Sequence, residues 1–297
     1  MKNRLANTFL AQTLLISHLV CSNVYAQIPV PVSKAPKSQI KAAAQTQTNV
    51  IEVKTEKKEE KTYSLDLAME YSEKIAVEQR GARESNIDFV IAPVIKLNSI
   101  LKLGTKVVVT KENSGARQTT ISNTPVSLVI KGIKLSEQFK TLHSVTATAA
   151  TNEETQKRDR LKGAIGITNG IGYESTFAKI EYRLGISKNF HEFTVNSENS
   201  PNVEYRLANT LTLLVPVTEK LSITAAGLYR LGRTYGGFQR SNFTFDADIV
   251  YDVTGKFSLN LGTSNDGNAL KANGVDSNIE AYNENTSVVR AGISLTL

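Results

Sequence analysis

Between Thr62 and Leu297 the sequence alternates apolar with polar residues, segment after segment, with turn-rich breaks between the segments. Ala178, Ile180, Tyr182, Leu184 and Ile186 interleave with Lys179, Glu181, Arg183, Gly185 and Ser187. Tyr63, Leu65, Leu67, Met69 and Tyr71 stand likewise against Ser64, Asp66, Ala68, Glu70 and Ser72, and Phe243, Phe245, Ala247, Ile249 and Tyr251 form another such row. In a strand, a period of two places one set on each face. Strands covered on both faces read as continuous apolar runs, so a parallel sheet sheathed by helices is excluded. The spacing predicts about twelve strands, roughly 62–73, 85–97, 100–112, 117–135, 139–151, 159–172, 176–188, 203–215, 221–234, 241–252, 257–265 and 285–297. Val129, Ile130 and Ile133 break the alternation of the fourth and predict a bulge there.

The connections alternate too. Those around Asn98-Ser99, Ser136-Glu137-Gln138, Tyr173–Ser175, Pro216–Lys220 and Val253–Lys256 are short. The others are mostly longer and more polar, with 189–202 and 266–284 the longest. Short turns at one end and long loops at the other describe an antiparallel up-and-down barrel, and an even strand number leaves both ends of the wall on the short-turn side. Alternation alone does not say which face looks outward. Three features favour apolar rows outside, in lipid. The polar rows combine dense charge with Gly104, Gly166, Gly185, Gly232 and Gly292, which suits a crowded, curved interior. Apolar rows of this size and number would overfill so narrow a barrel. Aromatic residues collect at strand ends: Tyr63, Phe139, Tyr173, Phe177, Tyr251 and Phe257 by the short turns, and Phe190, Phe193, Tyr235, Phe238 and Phe243 by the long loops, as at two membrane interfaces. The expected fold class is all-β, an antiparallel transmembrane β-barrel over 62–297.

Two segments of different texture precede it. Lys2 and Arg4, the apolar stretch Phe9–Val20 and the Val24-Tyr25-Ala26 site give residues 1–26 the pattern of a signal peptide. Cys21, the one cysteine, falls inside it, so the exported chain would carry no disulfide. Residues 27–61 hold three prolines and the mixed-charge run Lys54–Lys61 without a sustained period. They read as a flexible periplasmic linker or tail. Of the net charge of +7, residues 1–26 carry +2 and 27–61 carry +3, which leaves the barrel nearly balanced and gives no nucleic-acid footprint. Beyond residue 26 no apolar run is long enough to cross a bilayer as a helix.

Arg290-Ala291-Gly292-Ile293-Ser294-Leu295-Thr296-Leu297 resembles the terminal assembly signal of Gram-negative outer-membrane β-barrel proteins, carried here by Arg290, Gly292, Leu295 and Leu297. The sequence departs from that pattern in ending on Leu297, where an aromatic is commonest. The resemblance, to a small porin-like barrel, covers 62–297 by pattern. It implies residence in the cell outer membrane, recognition by the barrel-assembly machinery, and contact with outer-membrane lipid and lipopolysaccharide. Peptidoglycan contact through the tail is a further expectation, and the pattern leaves the oligomeric state open.

Strands ~4.8 Å apart and tilted ~40° would close at a backbone radius of roughly 12 Å. With apolar rows outward, the candidate pore-lining residues are Lys96, Lys102, Lys106, Lys179, Glu181, Arg183, Glu204, Arg206, Arg230, Asp246, Asp248 and Arg290. Two readings follow. Water fills part of the lumen and the basic cluster from Lys179 to Arg230 favours anions, or the charges pair and hold the barrel shut. In the second, Lys179, Glu181 and Arg183 form a ladder with Glu204 and Arg206, while Asp246 and Asp248 partner Arg206 or Arg230. A small passive diffusion channel for hydrophilic solutes or ions is the expected function. A closed structural or surface-binding barrel is the alternative. Catalysis is not expected. Outer-membrane phospholipases set a catalytic Ser and His two residues apart on one strand face, whereas His143 has Thr141 and Val145 at that spacing and Ser144 on the other face. Beyond the signal segment there are two histidines, His143 and His191, and no cysteine, so neither a metal nor a cofactor is expected.

Overall fold

The computed structural model describes residues 62–76, 83–114, 117–271, 274 and 276–297; the signal segment and tail lie outside them. The elements are β1 (Tyr63–Lys74), β2 (Ser85–Lys96), β3 (Leu101–Thr105), β4 (Val107–Glu112), β5 (Thr119–Ile121), β6 (Thr124–Ile130), β7 (Phe139–Ala149), α1 (Glu153–Lys157), β8 (Leu161–Glu174), β9 (Lys179–His191), β10 (Val203–Pro216), β11 (Leu221–Thr234), β12 (Gln239–Thr254), β13 (Phe257–Asn268) and β14 (Val288–Thr296). β3 and β4 are two parts of one crossing, parted at Lys106, because both pair with β2. β5 and β6 are likewise one crossing, parted at Ser122-Asn123. β1 pairs with β2 on one side and β14 on the other, so the sheet closes into a twelve-strand antiparallel barrel.

The predicted bulge after Ile130 is present. Pairing passes from Ile130↔His143 to Lys134↔Lys140, which sets an extra residue on the β6 side. Further register shifts lie between Leu161 and Gly163, between Val203 and Tyr205, and between Asp252 and Thr254. The turns 97–100, 175–178, 217–220 and 255–256 share one end of the barrel. At the other end, loops 150–160, 192–202 and 235–238 form one hydrogen-bonded layer. The Asn202 amide Nδ2 donates to the carbonyls of Asp159 (2.8 Å) and Phe193 (3.0 Å), and the Tyr235 hydroxyl donates to that of Asn189 (3.2 Å). In that layer α1 is capped by Asn152, whose Oδ1 accepts from the Thr155 amide.

Exposure decides the question alternation left open. Ile167, Leu211 and Leu261 are 56%, 53% and 58% exposed, while Glu181 and Asp246 are 6% and 5% exposed. Buried apolar side chains among the described residues come down to Val108, Ala178, Phe243 and Ala269, so no hydrophobic core fills the barrel. The apolar band lies outside, the arrangement that satisfies every strand's backbone in lipid without an open edge. Most of the aromatic residues at strand ends are on the surface, and Phe139 packs against Tyr173 with ring centroids 5.1 Å apart. Phe243 departs from the expected belt: the chain encloses it, 3.6 Å from where Gly267 would carry a Cβ.

This orientation has a direct test. Ile167→Arg is expected to destabilise the inserted barrel by about 2–4 kcal/mol, and Thr168→Arg, one residue on and facing the lumen, by under about 1 kcal/mol. Urea unfolding in lipid vesicles would measure both, and equal losses would contradict the assignment of faces.

Candidate functional site

The site is the inner wall. Counted round the closed circuit, β9 lies diametrically opposite β1, and β10 opposite β2. The first wall carries Glu70 on β1 and Asp88 on β2, directly paired on one face. Beside them on β12 are Asp246 and Asp248. Arg290 on β14 reaches three acids on two other strands: its guanidinium lies 2.9 Å from both Asp248 oxygens, 3.0 Å from Asp246 Oδ1 and 3.8 Å from Glu70 Oε1. Lys106, at the gap between β3 and β4, interacts electrostatically with Glu70, Asp88 and Asp246. The opposite wall carries Lys179, Glu181 and Arg183 on β9, Arg206 on β10 and Arg230 on β11. Glu181 is held by Lys179 at 3.0 Å and Arg183 at 2.7 Å. Arg230 interacts with Asp266 and Asp246, and Arg206 with Asp159 of the loop layer. One wall is therefore mainly acidic and the facing wall mainly basic.

Glycine makes the Arg290 contact sterically available. Asp248, Gly262 and Arg290 are successive cross-strand partners on β12, β13 and β14. A Cβ on Gly262 would stand 2.0 Å from Asp248 Oδ1 and 2.5 Å from the Ala247 carbonyl. Gly292 plays the same part between Asn260 and Glu70, whose side chains bond at 3.2 Å across it. Gly262→Ala is expected to cost about 1–3 kcal/mol through overpacking. Gly227→Ala, where a Cβ would meet nothing within 4 Å, should be neutral or slightly stabilising. Denaturant midpoints of the two variants check this.

The structure sorts the candidate residues into groups. Arg290, Asp246 and Asp248 meet; Asp248 finds Arg290 as its ion-pair partner in place of the expected Arg206 or Arg230, while Asp246 pairs with Arg290 and also interacts electrostatically with Arg230 as expected. Lys179, Glu181 and Arg183 form their ladder within one strand, which Arg206 does not extend. Lys96 and Lys102 are direct partners at the short-turn mouth, away from both clusters. There Val129 points inward beside Lys102 and is 44% exposed, so this end of the lumen has room for water. Glu204 must be corrected. The bulge between Val203 and Tyr205 sends it to the outer rim, where it meets Lys188 at 3.6 Å. The Lys188 ammonium lies over the outward rings of Tyr205 (5.2 Å) and Phe190 (5.9 Å). Asn260 and Gly262 escaped the sequence reading, although the inward row Ser258, Asn260, Gly262, Ser264 showed a polar strand with one gap. Of the expected assembly residues, Arg290 and Gly292 face inward in the contacts above, and Leu295 pairs with Leu67 and Phe257 at the closure of the wall.

His143 sits on the outer face. Its Nδ1 bonds Asn169 Oδ1 and its Nε2 bonds Thr141 Oγ1, each at 2.8 Å.

A closed antiparallel β-barrel with an apolar exterior and a charged lumen has the architecture of a transmembrane β-barrel. No protein-family model and no curated protein matches the chain. Solved structures do. An outer-membrane channel from Pseudomonas putida F1 superposes with a TM-score of 0.54 at 9% identity, over 80% of this chain and 96% of that one. The NanC porin superposes with a TM-score of 0.50 at 10% identity, over 78% of this chain and 100% of its own. The protein has the fold of the outer-membrane porins and channels.

Proposed function

We propose that the protein is a passive diffusion channel of an outer membrane, for small hydrophilic solutes or ions. The observation that carries this reading is the pair of opposed charged walls around a lumen without an apolar core. A charged solute entering such a lumen meets fixed groups of both signs, and narrow, low-dielectric surroundings strengthen their effect. The water-accessible short-turn mouth around Val129 and Lys102 supports it. A second reading, a barrel shut by its own ion pairs, draws on the Arg290 cluster and on the Lys179–Glu181–Arg183 ladder. Neither reading is catalytic; His143, with both ring nitrogens engaged on the outer face, supports that. Outer-membrane lipid and lipopolysaccharide as surroundings, and the assembly machinery as an early partner, belong to the same proposal.

Single-channel recording of the refolded protein in a planar bilayer tests it. Steady current steps that scale with salt are expected. Folded, inserted protein that passes no current would overturn the channel in favour of the ion-paired barrel.

A further inference from the structure

The outer face has one place where the apolar band is interrupted. Thr141 and His143 on β7, Asn169 on β8 and Asn209 on β10 all occupy outward positions, because they pair in register with outward Ile171, Ile130, Leu184 and Tyr229. Elsewhere on the band Thr105 and Thr263 turn their hydroxyls back onto the carbonyls of Pro125 and Val288. Here the groups bond to one another. Besides its contacts with Asn169 and Thr141, His143 shares Thr141 with the Ile133 amide, which donates to the same hydroxyl (2.8 Å), and the Tyr182 hydroxyl donates to Asn209 Oδ1 (2.8 Å). Both asparagine oxygens are engaged in this way. Among the described residues, neither Nδ2 has a partner. The two amino groups flank Leu184, since Asn169, Leu184 and Asn209 are successive cross-strand partners.

Depth makes this significant. At ~3.3 Å per residue and ~40° tilt, Asn169 lies roughly 13 Å and Asn209 roughly 18 Å in from the short-turn ends of their strands. Both fall within an apolar band ~25 Å tall, where lipid tails offer no acceptor and an unmatched donor is costly.

We infer that this patch is an interface with a second copy of this chain. A carboxamide is self-complementary, with two donors and a carbonyl that retains a free lone pair after one bond. A neighbouring copy inserted in the same sense carries the same groups at the same depth, since the bilayer fixes the height of both barrels. Polar side chains meeting between spanning segments associate them in just this setting.

The test compares the refolded full chain with the Asn169→Leu/Asn209→Leu variant by native mass spectrometry and by sedimentation in lipid nanodiscs and detergent. Both substitutions place an apolar residue in lipid, so the variant should fold, which unheated gel mobility confirms. The wild type is expected as two or more chains and the variant as one, with association weakened about tenfold or more. Leu184→Cys, in a Cys21→Ser background, is expected to crosslink copies with a short bis-maleimide, and Leu261→Cys on β13 is not. A wild type that stays single at every protein-to-lipid ratio would overturn the inference, as would a folded variant that associates like the wild type or crosslinking that is equal at both cysteines.

Discussion

Arg290→Met is expected to lower the stability of the inserted barrel by about 3–5 kcal/mol, the largest single-residue loss in the lumen. The reason lies in what the guanidinium leaves behind. Glu70, Asp246 and Asp248 converge on it from β1 and β12, and its removal leaves them facing one another. The loss is predicted to come from the uncompensated acids more than from the missing bonds. Adding Glu70→Gln, Asp246→Asn and Asp248→Asn to Arg290→Met should therefore recover most of the stability, since replacing a whole buried ion cluster by neutral groups is often near neutral. Urea unfolding in vesicles reads both variants. A single variant within about 1 kcal/mol of wild type would mean that water already screens these charges and the cluster is not a structural tie.

The second large effect is on ion selectivity. Arg206→Glu combined with Arg230→Glu turns two of the cations on the basic wall into anions, opposite Glu70 and Asp88 across the lumen. The reversal potential in a salt gradient should move toward cation selectivity, because permeating ions respond to the fixed charge of a narrow lumen. The shift should shrink as salt rises and the screening length falls to ~3 Å at 1 M. Lys188→Glu, beside Glu204 on the outer rim, should leave the reversal potential where it was. An unchanged potential in the lumen variant would place the ion path elsewhere.

Strand number and facing were legible because both follow from local parity. The row Lys179, Glu181, Arg183 needs only its own strand to be recognised as inward, and the ladder it forms is intrastrand. Glu204 was misplaced because a bulge reverses parity without changing composition, and nothing in Val203-Glu204-Tyr205 marks the extra residue. The partner of Asp248 was illegible for a different reason. Arg290 reaches it over Gly262, so the contact depends on two registers at once, and register is set by the whole sheet. Asn209 had left a visible trace: it is the one polar residue on the outward positions between Leu207 and Leu213, though sequence alone could not give it Tyr182 as a neighbour.

The two strands that close the wall are also the farthest apart in sequence. Thr296 donates to Asp66 across 230 positions at 2.7 Å, and the Leu297 amide reaches the Leu65 carbonyl at 3.0 Å. Every other neighbouring pair of crossings joins through a hairpin, which forms early because little chain must be gathered to make it. This one has no hairpin. The β1–β14 seam is therefore the pairing that must gather the most chain, and until it forms the sheet has two bare edges, β1 and β14. During that interval both edges are open to pairing with any other strand, so the period of greatest danger for this molecule comes before it has a lumen at all.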